Sequence, residues 1–328
     1  MVACLTGAVT AVDVDGQIDG QLVAGLVGVA RQLTRRAADP VVLSRRPGDP
    51  VVRAADVVVK AHPRDADPRG LEGRLRVAAL DSLAGVLLPP LRLPNGSLVT
   101  RVGDRLVSAW PAGEPVDPDD PDAAPWEQAA RLLARLHAVP VASLGPLAGG
   151  GAPARVRRAV ERMRRLVARH PAAAAVRAAL ATLPGWALGD GAAPSGRPVG
   201  LTHGDWHLGQ MVRLPGNDWR LVDVDDLGLG DPAWDLGRPA AWYAAGLLPP
   251  EVWARFLDSY RDSGGIAVPR DGDPWQSLDV PARALMTQSA ALAVAAAGRE
   301  RRDLDEVERV LVETCRRIAD HGVCAGAG

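Results

Sequence analysis

Apolar positions along the chain follow two regimes. Up to about residue 110 they come as short β-branched runs, at 41–43, 51–52, 57–59, 97–102 and 105–110, which predict strands. The first two runs flank Arg45-Arg46-Pro47-Gly48-Asp49-Pro50, a Pro-Gly turn that predicts a hairpin. Ahead of them, residues 8–14 read as strand-like and 21–33 as helical. From residue 125 the period changes. Trp126, Ala130, Leu133, Leu136 and His137 recur at helical spacing, with Pro125 suited to a first turn. Residues 154–183 read as a pair of Ala-rich helices with their arginines on solvated faces, and further helices are expected around 252–260, 281–298 and 304–319. An acidic, Pro-rich stretch to Pro125 separates the regimes and reads as a hinge. Strands first and helices after predict an α+β chain of two lobes, a small mostly-β lobe over 1–110 and a larger mostly-α lobe over 111–328.

Composition narrows the picture. A length of 328 residues is enough for two cores. A net charge of −1 argues against a nucleic-acid binder, which is usually basic. Cys4, Cys315 and Cys324 show no paired spacing, so neither a disulfide framework nor a structural zinc site is expected. The N-terminal run lacks a basic start and is interrupted by Asp13 and Asp15, and the Ala-rich stretch 289–298 is too short to span a bilayer. A cytoplasmic protein without membrane partners is expected.

Chemistry concentrates in LTHGDWHLGQMVRLPGNDWRLVDVDDLGLGDPAWDL, residues 201–236. Asp205 precedes Gln210 by five residues, the step from Asp to Asn in a kinase catalytic loop. The apolar run 219–224 predicts a short strand ending in the acidic cluster of Asp223, Asp225 and Asp226, and a hairpin would return that cluster to Gln210. One Asp can take the proton of an acceptor hydroxyl, while an amide oxygen and a carboxylate suit Mg²⁺. Lys60 is the only lysine in a chain that writes every other cation as arginine. It follows three valines, and a charge at the end of a buried strand needs a partner or ligand. In the kinase arrangement this lysine pairs with a Glu on the next helix, a position that Glu72 would fill. No GxGxxG is present; Arg45 or Arg46 sits where a phosphate loop would be, though solvated turn arginines are the simpler reading.

These residues carry a resemblance. The stretch resembles the aminoglycoside phosphotransferase and choline kinase-like superfamily, whose pattern HGDxHxxN is followed by an acidic strand end and a later Asp-Leu. The resemblance implies a protein-kinase-like fold, ATP and Mg²⁺ as cofactors, Asp205 as catalytic base, and Gln210 and Asp223 as metal ligands. It implies that His203 and Asp235 fix the loop and that the backbone from Ala109 through Pro111 to Ala112 holds the adenine edge. His207, Asp225 and Asp226 are expected to support the metal or the substrate. His137 sits in an Arg-Leu-His segment that also resembles the family, but a lone histidine of this kind is usually a packed one. Gln210 departs from the family's Asn by one methylene. The form HGDxHLGQ is similar to that of actinobacterial maltokinases.

Three readings remain open at this level. The first is an ATP-dependent kinase that phosphorylates a hydroxyl of a sugar, aminosugar or aminoglycoside-like compound; acidic residues in its cleft would favour cationic acceptors. The second is a catalytically impaired nucleotide-binding or scaffold protein. The third is a metal-dependent hydrolase built from His203, Asp205, His207, Asp223 and Asp225. Five tryptophans, Trp206, Trp219, Trp234, Trp242 and Trp253, fall in or after the motif and are expected mostly in the core.

Overall fold

The computed structural model describes residues 20–34, 36, 39–44, 50–167 and 170–325. The expected strand at 8–14 and the turn arginines Arg45 and Arg46 lie outside the described residues.

Helix α1 (Gly20–Leu33) buries Leu22, Leu26 and Ala30, one face at intervals of four. That face covers an antiparallel five-stranded sheet of order β1-β2-β3-β5-β4, with β1 Val41–Ser44, β2 Val51–Ala54, β3 Val57–Ala61, β4 Thr100–Val102 and β5 Arg105–Pro111. The predicted β1–β2 hairpin is present. In β3 the two-residue period sends Val57, Val59 and Ala61 into the core under α1. Lys60 therefore points to the opposite face, paired in register with Ser108 on β5. Helix α2 (Pro68–Ala78) starts on Asp67, whose carboxylate accepts the N–H groups of Arg69 and Gly70, with proline in the first turn.

The hinge stretch leads into β6 (Glu114–Pro115), then α3 (Trp126–His137), α4 (Ala152–Val167) and α5 (Pro171–Ala181). The motif region supplies β7 (Gly200–Thr202), the hairpin β8 (Met211–Leu214) with β9 (Asp218–Leu221), and β10 (Gly228–Gly230). Helices α6 (Ala233–Ala244), α7 (Pro250–Asp262), α8 (Trp275–Glu300) and α9 (Glu306–Ala325) complete the chain. Helix α8 is the axis of this part. Helices α4, α5, α6 and α9 pack on it, and its alanines let them approach. The result is a small antiparallel sheet followed by a larger helical part, the kinase-like α+β arrangement expected. No described helix is long and apolar enough to cross a membrane.

The tryptophans are mainly structural. Trp206, Trp234, Trp242 and Trp253 are buried, and Trp206 stacks on Phe256 with ring centroids 5.7 Å apart while meeting Trp126 edge-on. The residue after Asp205 thus anchors the loop from below.

Candidate active site

Strand β7 pairs with β10 and delivers the chain to His203-Gly204-Asp205. Gly204 has φ +83°, and a β-carbon there would collide with the Asp226 carbonyl oxygen, so only glycine fits this turn. The turn is held by Asp235 in the first turn of α6. Its carboxylate accepts the backbone N–H groups of His203 at 2.6 Å and Gly204 at 2.9 Å. His137 donates Nε2–H to the same carboxylate at 3.0 Å. On the other side of that ring, the Tyr260 hydroxyl lies 2.8 Å from Nδ1 and accepts the Ala267 N–H. With the Tyr260 oxygen so occupied, its proton points to Nδ1, and one tautomer satisfies every bond. Burial opposes charge on Asp235, yet the bonds from His137 and His203 hold its carboxyl below the usual range. His203 Nε2–H donates to the Val222 carbonyl at 2.7 Å, tying the turn to the second half of the motif.

The β8–β9 hairpin closes as expected, and the Val222 N–H donates to the Gln210 carbonyl. Asp223 follows with φ +64°, a left-handed conformation that aspartate tolerates better than most residues and that often marks functional positions. Gln210 Nε2 lies 3.3 Å from Asp223 Oδ2, so the two oxygen-bearing side chains meet. An amide and a carboxylate in reach of one another suit a hard divalent cation.

Lys60 reaches across from β3. Its ammonium lies 2.7 Å from Asp223 and 2.8 Å from Asp225. His62, whose Nε2 meets Ser108 Oγ at 2.8 Å, lies 3.1 Å from the other Asp225 oxygen. Burial works against both charges, but the carboxylates hold Lys60 above the usual lysine range, and Lys60 and His62 hold Asp225 far below its own. The expected Lys60–Glu72 pair is not formed. Glu72 is exposed on α2, and that helix meets the motif through Arg74, which donates to the Leu227 carbonyl. The acidic cluster after β9 stands opposite β3 and holds the lysine instead.

The arginines of α4 are not all solvated. Arg155 turns inward, 2.5 Å from Asp205 Oδ2 and 2.6 Å from Asp226 Oδ2. Arg238 from α6 lies 3.0 Å from Asp205 Oδ1. Asp205 therefore sits between two guanidinium groups, which no spacing in the sequence signalled. The nearest clue was Gly149-Gly150-Gly151, whose small residues let α4 begin against the motif, with Gly150 N–H on the Leu229 carbonyl and Gly151 N–H on the Asp226 carbonyl. Burial, together with the Asp205 charge, raises the Asp226 carboxyl despite Arg155. His207 is kept neutral: burial first, then Arg238 and His203, push it well below the usual histidine range.

Along the expected adenine edge, Ala109 is buried and its carbonyl accepts the Leu91 N–H. The Ala112 N–H is given to the Asp56 carbonyl, and Pro111 carries no N–H.

Residues 51–275 match the phosphotransferase enzyme family, APH, and the chain belongs to that family. It is a small-molecule phosphotransferase. Among solved structures, an amicoumacin kinase in complex with AMP-PNP, Ca²⁺ and Ami superposes with a TM-score of 0.59 at 16% identity, covering 93% of this chain and 94% of that one. The choline kinase LicA from Streptococcus pneumoniae gives 0.56 at 14% identity, over 87% and 95%. A choline/ethanolamine kinase family protein from Mesorhizobium loti gives 0.51 at 17% identity, over 92% of each chain. These likenesses establish the protein-kinase-like fold. No curated protein matches the sequence. The metal-hydrolase reading falls away. The family assignment supplies a different chemistry, phosphoryl transfer.

Proposed function

We propose that this protein transfers the γ-phosphoryl group of ATP to a hydroxyl of a small molecule, with Asp205 as the base. The observation that carries this reading is one juxtaposition: the Asp205 turn, braced by Asp235, opens beside a Lys60–Asp223–Gln210 cluster that faces the underside of the sheet. Asp205 takes the acceptor proton as the hydroxyl oxygen attacks the γ-phosphorus, and the bond to the leaving ADP oxygen breaks. Lys60, held by Asp223 and Asp225, orients the nucleotide phosphates. Gln210 and Asp223 are the residues that would hold Mg²⁺, which when bound offsets the negative charge of the phosphates. The Pro111 carbonyl and neighbouring backbone take the adenine edge. In this reading residues 1–110 form the nucleotide-binding lobe and 111–328 the catalytic and acceptor-binding lobe. The amicoumacin kinase, whose complex contains a nucleotide analogue and a divalent cation, supports the choice of cofactors.

ADP release with Mg-ATP across a panel of sugars, aminosugars and aminoglycosides, run beside Asp205→Ala, tests the proposal. Acceptor-dependent ADP that disappears in Asp205→Ala is expected. Failure to bind Mg-ATP at all overturns it.

A further inference from the structure

The four clustered carboxylates of the motif suggest a negatively charged cleft, yet in the folded protein each is matched. Lys60 occupies Asp223 and Asp225 on the nucleotide side. On the acceptor side Arg155 bridges Asp205 and Asp226, Arg238 takes the other Asp205 oxygen, and Arg158 stands 3.8 Å from Asp226. Three guanidinium groups thus face two carboxylates. Arg155 Nε and Arg238 Nε are buried there without a hydrogen-bond partner, and both can only donate. Buried polar groups of this kind ordinarily find a partner, and a donor needs an oxygen.

We infer that the acceptor side of this cleft takes an oxygen-rich hydroxyl compound that is uncharged or acidic, and that Arg155 is the specificity-determining residue that turns cationic acceptors away. The inference rests on the phosphotransferase reading given above. A polyamine-bearing acceptor would need free carboxylates around Asp205 and would instead meet guanidinium groups at close range. An acceptor with hydroxyl or carboxylate oxygens meets the guanidinium groups of Arg155, Arg158 and Arg238, and the two unpartnered Nε–H groups become available to it as these side chains shift. Arg155 is also the more movable of the two arginines on Asp205, with its side chain 28% exposed against 10% for Arg238. Its withdrawal toward the acceptor frees one Asp205 oxygen for the incoming hydroxyl, while Arg238 keeps the carboxylate oriented.

The test is calorimetric titration of the enzyme, saturated with Mg²⁺ and the non-hydrolysable analogue AMP-PNP, with kanamycin as a polycationic probe. Wild type, Arg155→Lys and Arg155→Glu are compared, each first checked for folding by thermal melting. Arg155→Ala replaces the glutamate variant if that one fails to fold. Binding of kanamycin should be undetectable or at least about tenfold weaker in wild type and Arg155→Lys than in Arg155→Glu. Equal binding by wild type and Arg155→Glu overturns the inference, as does a block that Arg155→Lys releases, which would make it one of shape and not of charge. Absence of AMP-PNP binding instead strikes the phosphotransferase reading itself, so the two failures are distinguishable.

Discussion

The two sides of the cleft solve opposite electrostatic problems with the same kind of contact. On the nucleotide side one cation, Lys60, lies between two carboxylates, Asp223 and Asp225. On the acceptor side one carboxylate, Asp205, lies between two cations, Arg155 and Arg238. The first leaves an excess of negative charge and oxygen donors, suited to a divalent cation. The second leaves an excess of N–H donors, suited to acceptor oxygens. Lys60, Asp205 and Arg238 are the more buried members of these clusters, so removing a partner leaves a mostly buried charge unpaired, and the cost falls on whichever function that charge serves.

The sharpest way to break the comparison is at the carboxylate between two arginines. Asp205→Ala should lower kcat by about 10²–10⁴-fold, the range for losing a general base, with nucleotide binding little changed by titration calorimetry. The mirror experiment, Lys60→Ala, should cost about 10–100-fold in kcat/KM for the nucleotide, as expected for losing a charge-assisted hydrogen bond. If Lys60→Ala instead weakens only the acceptor, the assignment of sides is reversed.

The brace behind Asp205 gives a smaller effect on two readouts. Asp235→Asn should lower the unfolding free energy by about 1–3 kcal/mol in urea, because a buried network loses its charged acceptor. It should lower kcat more than it raises the KM for nucleotide. The carboxyl of Asp235 is held below the usual range, so its contribution is fully present above about pH 4 and is lost as pH falls through its own lower value. Asp235→Asn should therefore flatten the acid side of the stability profile and leave the alkaline side alone.

Gln210→Ala should raise the Mg²⁺ concentration for half-maximal rate, while Gln210→Asn, one methylene shorter, should stay within a few-fold of wild type. Smallest of all is Glu72→Ala. An exposed helix glutamate that holds no lysine should change stability by less than about 0.5 kcal/mol and leave kcat/KM nearly unaltered. A large loss there would mean that Lys60 exchanges Asp225 for Glu72 during turnover.

Much of this site was legible in the residues. The spacing from Asp205 to Gln210, the short strand ahead of Asp223 and the solitary lysine after three valines could all be read from local residue order. The face of β3 that carries Lys60 was decided in the folded sheet, since the run Val57-Val58-Val59 shows no alternation of polar and apolar residues. The Lys60–Glu72 expectation failed because it carried a partner over from the kinase arrangement. The choice between Glu72 and Asp225 was made by which carboxylate stands across the cleft.

By itself, the sequence determined the α+β order of elements, the family and the identity of the motif's chemical groups, because backbone period and turn chemistry are short-range properties. Only the tertiary structure decided the sign of the acceptor side. Arg155 is one arginine among several on α4, and nothing in its neighbours marks it. It becomes part of the site because Gly150 and Gly151, where a β-carbon would collide with Thr202 and Asp226, let that helix start against the Asp226 backbone. A charge's effect depends on its distance from other charges in space, and pairs 50 and 71 residues apart in the chain, Arg155 with Asp205 and with Asp226, have no signature in a linear pattern.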